Sequence, residues 1–201
     1  TALIPGAPSG IRAVYGERLA RSGYDLILVA RREDRLRALA TQLTDRTGRS
    51  VETLAADLTD ASGIARVEQV LKTDASITMF VNNAGIAATA PLLGSDIDQM
   101  ERMIALNVNV PTRLAYAVAP AFVARGTGTI VNIASIVALA PELLNGVYGG
   151  SKAYVLAFSQ SLQHELADKG VRVQAVLPGA TATDLWENAG TSLSTLPQEI
   201  V

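Results

Sequence analysis

The alternation of short apolar segments with longer segments of helical period constrains the fold of this chain more than any other feature of its sequence. Six apolar runs are predicted to be strands, at residues 2–4, 26–30, 51–56, 77–81, 129–134 and 171–177. The intervening segments are predicted to be helices, at residues 10–22, 32–45, 60–72, 96–124 and 148–169. A repeated strand–helix–strand order requires right-handed crossovers between parallel strands. The sequence therefore predicts an α/β fold, a doubly wound parallel sheet in three layers, with residues 1–201 forming a single domain.

Composition excludes several classes of function. The 17 Lys and Arg residues nearly balance the 19 Asp and Glu residues, and no basic run occurs, so a nucleic-acid partner is not expected. The chain has no cysteine, which excludes disulfides and thiolate metal sites, and no metal site is predicted. No apolar run reaches the ~18 residues of a membrane span, and no leader precedes the first strand. We expect a cytoplasmic protein without a membrane partner.

The first loop, PGAPSGIR at residues 5–12, has the character of a phosphate-binding turn. Gly6 would permit the tight turn after the first strand, and Gly10 would let the backbone approach a pyrophosphate. Taken alone, an ordinary turn between a strand and a helix explains this spacing equally well.

Four downstream motifs change the interpretation of that loop. NNAG (82–85) follows the fourth strand, Ser135 lies 13 residues before Tyr148, YGGSK (148–152) opens a long helix, and PG (178–179) follows the sixth strand. Together with the glycine turn, their order and spacing resemble the short-chain dehydrogenase/reductase family, in its simple rather than extended branch. The resemblance runs from residue 1 to about residue 190. It implies a Rossmann-type domain that interconverts a carbonyl and an alcohol by hydride transfer. We expect residues 1–201 to lack the last strand and helix of the family.

The candidate catalytic residues are Tyr148, Lys152, Ser135 and Asn107. Lowering a phenol pKa from about 10 to near 7 requires roughly 4 kcal/mol of preferential phenolate stabilisation. Lys152, one helical turn after Tyr148, could supply the positive charge, and Ser135 could donate to the substrate oxygen. For the isolated pair, an exposed tyrosine and a solvated lysine are the alternative. The resemblance assigns Asn107 to a water chain that reaches the lysine, although it could instead be a local hydrogen-bonding residue.

The resemblance also implies a nicotinamide dinucleotide, held by loops that follow the strands. The candidate residues are Gly6, Ser9, Gly10, Ile11, Arg31, Arg32, Asp57, Leu58, Asn83, Ala84, Gly85, Pro178, Gly179 and Thr183, together with Tyr148 and Lys152. Asp57 is similar to the acid that contacts the adenine, and the competing interpretation is a helix N-cap.

The second strand ends on Ala30, where a carboxylate would bind the ribose 2′-OH of NAD. Arg31 and Arg32 follow, and arginine suits a 2′-phosphate. We expect NADP rather than NAD, unless these arginines are merely solvated.

Substrate and partners are less constrained by the sequence. The segment IVALAPELLNGV (136–147) is apolar, and residues 185–190 are predicted to form part of a lid, which favours a hydrophobic alcohol or ketone. The helices at 103–124 and 148–169 are apolar over more than one stripe, which favours a homodimer or homotetramer.

Two departures from the family pattern leave a second function open. Pro5 replaces a threonine, and Arg12 replaces the third glycine of the loop. Pro5 removes an N–H and a hydroxyl that would brace the turn. A chain that had lost cofactor affinity in this way would serve as a regulatory or binding protein instead of an oxidoreductase.

Overall fold

The computed structural model describes residues 1–6 and 11–179. Its sheet consists of parallel strands in the order β3-β2-β1-β4-β5-β6. These strands are β1 Ala2–Pro5, β2 Leu26–Ala30, β3 Val51–Ala55, β4 Met79–Asn82, β5 Gly128–Ile133 and β6 Val171–Val176. The predicted fold class, a doubly wound Rossmann-type sheet, is confirmed.

Helices cover both faces of the sheet. They are α1 Ile11–Arg21, α2 Glu33–Thr47, α3 Ala61–Thr73, α4 Ile97–Ile104, α5 Val110–Arg125 and α6 Gly146–Leu166. Because side chains alternate across a strand, successive strand residues join different cores. Leu3 and Phe80 pack with side chains of α3, α5 and α6, whereas Ile4 and Val81 pack with side chains of α1 and α2. Within the described ranges, no helix has the length and apolar character needed to cross a membrane.

The prediction of one continuous α-helix at residues 96–124 is wrong, because the segment is interrupted. A π-helical turn, Ala105–Asn109, separates α4 from α5, and the Val110 N–H donates to the Ala105 carbonyl. One extra residue in a turn leaves the apolar periodicity on either side intact, so the sequence pattern does not reveal it. Such π turns often occur at functional sites, and this one buries Asn107.

The strand order reverses direction between β1 and β4. The connection from β1 leads to β2 on one side, whereas β4 and β5 lie on the other side of β1. In parallel sheets, the loops at the carboxyl ends of such neighbouring strands diverge and leave a crevice. The loops that follow β1, β4 and β5 therefore define where a ligand would bind.

Candidate active site

The crevice begins at Gly6, directly after β1. Gly6 has φ of 126°, in the region that favours glycine, and its N–H donates to the Val29 carbonyl at 2.7 Å. Pro5 is the last residue of β1 and lies opposite Val29 in the register. Ile11 begins α1. Ser9, Gly10 and Thr183 lie outside the described residues.

Tyr148 and Ser135 meet at the carboxyl end of β5. Ser135 precedes a short 3₁₀ turn, Ile136–Ala138, and Tyr148 lies in the first turn of α6. The Tyr148 side chain is buried and hydrogen-bonded to Ser135. Burial raises the pKa of Tyr148 above its usual value of 10.0, and the hydrogen bond with Ser135 offsets part of that rise. The protein has thus brought a proton donor and a hydroxyl group together in a poorly solvated position.

Lys152 lies one turn further along α6 and is also buried. Its Nζ donates to the Ile133 carbonyl at 3.0 Å and lies 5.9 Å from the centre of the Tyr148 ring. The alternative interpretation, an exposed tyrosine and a solvated lysine, is therefore wrong. The sequence predicts a lowered pKa for Tyr148, but in this structure the pKa is raised, because the cost of burying a phenolate is the largest effect on it.

Asn107 joins three segments that are distant in sequence. Its Oδ1 accepts from the Ile86 N–H at 2.9 Å, and its Nδ2 donates to the Ile86 carbonyl at 2.9 Å and to Ser151 Oγ at 3.1 Å. The alternative of a local hydrogen-bonding residue is wrong, since these partners are 21 and 44 residues away. A Cβ on Gly85 would lie 3.0 Å from Asn107 Oδ1 and 3.7 Å from Lys152 Nζ. A glycine thus keeps the approach to both side chains open.

The opposite end of the crevice is polar and exposed. Arg32 immediately precedes α2, and its Nη2 lies 2.7 Å from Asp34 Oδ2. Arg31 Nη1 lies 3.9 Å from Asp57 Oδ2, and the Arg31 side chain is 72% exposed. Of the two arginines, Arg31 is therefore the more available to a ligand.

Asp57 and Leu58 follow β3 in the loop that leads to α3. Asp57 Oδ1 accepts from the N–H and the hydroxyl of Thr59, at 2.9 and 2.8 Å. Asp60, not Asp57, is the residue at the N-cap of α3, although its side chain makes no capping bond. The Leu58 side chain is buried in the core, so only its backbone is available to a ligand.

The remaining candidate residues lie on the loops that follow β4 and β6. Asn83, Ala84 and Gly85 come directly after β4. Pro178 and Gly179 follow β6, and the Pro178 carbonyl accepts from the Ile136 N–H at 2.9 Å. The segments after β5 and β6 are thus joined.

The described residues fit a dinucleotide. Gly6 turns sharply at the switch point, Gly85 leaves no side chain between the crevice and Lys152, and Arg31 offers a cation at the far end. These features match an elongated ligand with a pyrophosphate near its middle, an anionic group at one end and a reacting ring near Tyr148.

Sequence reasoning missed Asn145, which caps the helix that carries Tyr148. Its Oδ1 accepts from the N–H groups of Val147 and Tyr148, at 2.9 and 3.3 Å. An asparagine two residues before an apolar helical run is a capping signal that could have identified the helix start. The helix begins at Gly146, not at Tyr148.

Comparisons with known proteins agree with this geometry. The family model described as short chain dehydrogenase matches residues 1–193. An uncharacterised oxidoreductase of Staphylococcus epidermidis is 32% identical over 187 residues, which cover 92% of this chain and 80% of the relative.

Two solved structures are also similar. A short-chain dehydrogenase from Sphingobium yanoikuyae in complex with NADPH is 51% identical, with a TM-score of 0.95, over 98% of this chain and 77% of that one. The bulky-bulky ketone specific alcohol dehydrogenase from Comamonas testosteroni is 46% identical, with a TM-score of 0.85, over 88% of this chain and 71% of that one.

This chain belongs to the short-chain dehydrogenase/reductase family. It is an NAD(P)-dependent oxidoreductase, as the sequence motifs predicted.

Proposed function

We propose that this enzyme interconverts a hydrophobic ketone and the corresponding alcohol with NADP(H). The observation that carries the proposal is the buried Tyr148, hydrogen-bonded to Ser135 with Lys152 one turn away. A phenol in this setting can exchange a proton with a substrate oxygen that sits against the serine hydroxyl.

In the reductive direction, the Tyr148 phenol donates its proton to the carbonyl oxygen as the carbonyl carbon accepts a hydride. A nicotinamide bound in the crevice would supply that hydride, and in its oxidised form it would accept one in the reverse reaction. Ser135 donates a hydrogen bond to the same oxygen and stabilises its developing negative charge. In the oxidative direction, the phenolate of Tyr148 removes the alcohol proton.

Lys152 and Asn107 act on the proton-transfer step. The Lys152 ammonium favours the phenolate and, as in the family, would bind the nicotinamide ribose. Asn107 holds the loop after β4 through Ile86 and would support a water chain that reaches Lys152. Asn107 and Lys152 both face Gly85, because a Cβ added there would lie 3.0 Å from Asn107 Oδ1 and 3.7 Å from Lys152 Nζ. This shared position supports the assignment.

NADP is the proposed cofactor because β2 ends on Ala30 and is followed by the exposed Arg31. A guanidinium can pair with the 2′-phosphate, whereas no carboxylate stands at Ala30 to bind a 2′-OH. The Sphingobium relative in complex with NADPH supports the same choice. We assign the pyrophosphate to the loop Gly6, Ser9, Gly10 and Ile11, the adenosine to Asp57, Leu58, Asn83, Ala84 and Gly85, and the nicotinamide to Pro178, Gly179 and Thr183.

A ketone with bulky apolar substituents is the proposed substrate. Ile136, Leu139 and Leu143, which follow Ser135, expose about half or more of their side chains, as do Leu92 and Leu93 after β4. Large apolar side chains exposed on the loops that adjoin a reactive pair favour an apolar ligand. The specificity of the Comamonas relative for bulky-bulky ketones points in the same direction.

We further propose that residues 1–201 act as one domain in a cytoplasmic homodimer or homotetramer. Tyr116 on α5 is 70% exposed, which suits a subunit contact through that helix. Light scattering coupled to size exclusion would measure the assembly.

The experiment that tests the function has two stages. NADPH and NADH are titrated by nicotinamide fluorescence, and NADPH oxidation is then followed with a panel of aliphatic and aryl ketones. We expect tighter binding of NADPH than NADH and turnover of the larger ketones. Absence of NADPH binding would instead favour the regulatory or binding function that Pro5 and Arg12 suggest.

A further inference from the structure

Asn145 makes more hydrogen bonds than a helix cap requires. Its side chain is buried, and its Oδ1 accepts from the N–H groups of Val147 and Tyr148. Capping uses only an acceptor. The donor half of the same amide, Nδ2, points away from α6 to another segment, so Asn145 has a second role that capping does not explain.

The second segment is Ala90–Ser95, in the loop between β4 and α4. Asn145 Nδ2 donates to the Ala90 carbonyl at 2.6 Å and to Ser95 Oγ at 3.0 Å. Ser95 Oγ lies 3.1 Å from the Ala90 carbonyl and 2.9 Å from the Pro91 carbonyl, and its one hydrogen serves either of them. Two hydrogen bonds that span 50 or more residues therefore fasten this loop to the first turn of the helix that carries Tyr148.

The Ala90–Ser95 segment carries the most exposed large apolar side chains among the described residues. Leu92 and Leu93 are 82% and 97% exposed. Just before the segment, Ala87 and Ala88 pack in the apolar cluster that contains Tyr148. The loop thus runs from the surroundings of Tyr148 to the surface, where it exposes two leucines. Asn145 then fastens it to α6, the helix that carries Tyr148.

We propose that Asn145 is a positioning residue that holds Leu92 and Leu93 as one apolar wall of the substrate entrance. The inference rests on the proposed ketone reduction and identifies how the site would favour large substrates. A ketone with a long apolar substituent needs that wall, whereas a ketone with only methyl groups does not reach it.

Asn145→Ser separates the two roles of the amide. Serine ranks with asparagine as a cap, but its short side chain lacks the amide donor that spans to Ala90. With NADPH saturating, we expect kcat/KM for hexanophenone to fall about tenfold relative to that for acetone, chiefly through KM. Amide hydrogen exchange over residues 90–95 should accelerate about tenfold, while exchange in α6 stays unchanged.

Ser95→Ala provides an independent variant, since it removes one of the two acceptors that bind Asn145 Nδ2 and leaves the helix cap intact. It should change both readouts in the same direction, and the double variant should show less than the product of the single effects. Ser161→Ala is the matched control, because Ser161 bonds to Glu165 on the exposed part of α6. That variant should alter neither readout.

Three outcomes would overturn the proposal. The first is that Asn145→Ser and Ser95→Ala both discriminate between the ketones as the unmodified enzyme does. The second is that amide exchange over residues 90–95 is unchanged. The third is that kcat falls equally for both ketones while the melting temperature falls. If the unmodified enzyme reduces neither ketone, the proposed function fails, but the exchange measurement still decides whether Asn145 fastens the loop.

Discussion

The two ends of the crevice are built differently. At the chemical end, Tyr148, Lys152 and Asn107 are buried, and each is hydrogen-bonded to groups on other elements. At the opposite end, where we propose that the adenosine binds (the adenine end), Arg31 and Arg32 extend into solvent and pair with carboxylates across the surface. Buried polar groups are costly to leave unpaired, whereas exposed ion pairs contribute little and are screened by salt. Substitutions should therefore have large, salt-independent effects at one end and small, salt-dependent effects at the other.

The largest effect is expected from Tyr148→Phe. The change removes the phenol oxygen with little change of volume, so turnover should fall about 10²- to 10⁴-fold. The dissociation constant for NADPH and the melting temperature should stay close to those of the unmodified enzyme. Single-turnover kinetics measure the loss of turnover, a fluorescence titration gives the dissociation constant, and thermal unfolding gives the melting temperature. Near-normal turnover would show that the acid/base group lies elsewhere.

Next in size is the contrast between two neighbouring glycines on α6. A Cβ on Gly149 would lie 2.7 Å from the Pro141 carbonyl, whereas a Cβ on Gly150 meets nothing within 4 Å. Gly149→Ala should lower the free energy of unfolding by about 1–3 kcal/mol through overpacking. Gly150→Ala, the matched control, should raise it by up to about 1 kcal/mol through helix propensity. Urea denaturation compares the two, and equal effects would mean that the Pro141 segment yields freely.

A shift in pH dependence is expected from Lys152→Met. Burial already raises the pKa of Tyr148, and loss of the neighbouring ammonium should raise it further. Oxidation needs the phenolate, which forms above the pKa, so the pH at which oxidation begins should rise. Reduction needs the phenol, which persists below the pKa, so it should extend to higher pH.

The pH profile of kcat for alcohol oxidation measures that shift. Lys169→Met, which removes an exposed lysine after α6, is the control and should leave the profile unchanged. An unshifted onset in Lys152→Met would show that the lysine does not act on the phenol.

The smallest effect is expected at the adenine end, from Arg31→Ala. The dissociation constant for NADPH should increase about tenfold at low salt and less at high salt, because the lost contact is an exposed ion pair. The constant for NADH should barely change. Arg37→Ala, which removes another exposed arginine from the start of α2, is the control. A loss that is independent of salt would contradict the proposed contrast between the two ends.

Much of this architecture could be predicted because it depends on local patterns. Strands and helices follow from apolar periodicity, and the spacing from Tyr148 to Lys152 places both on one helical face. The boundary at residues 105–109 could not be predicted, since a π turn changes the phase of a helix without changing its composition. The contact of Asn145 with the Ala90–Ser95 loop was missed for a different reason, because its partners Ala90 and Ser95 lie 50 or more residues away.

The sequence by itself determined the fold class, the family and the set of chemical groups, since each depends on residue order and on spacings within one or two turns. Only the tertiary structure decided the environment of those groups. Tyr148 is a phenol in any fold, but its raised pKa arises from burial among side chains brought from several elements. Likewise, Asn107 joins three elements only when the chain is folded, because hydrogen bonds require contact in space and sequence neighbours do not provide it.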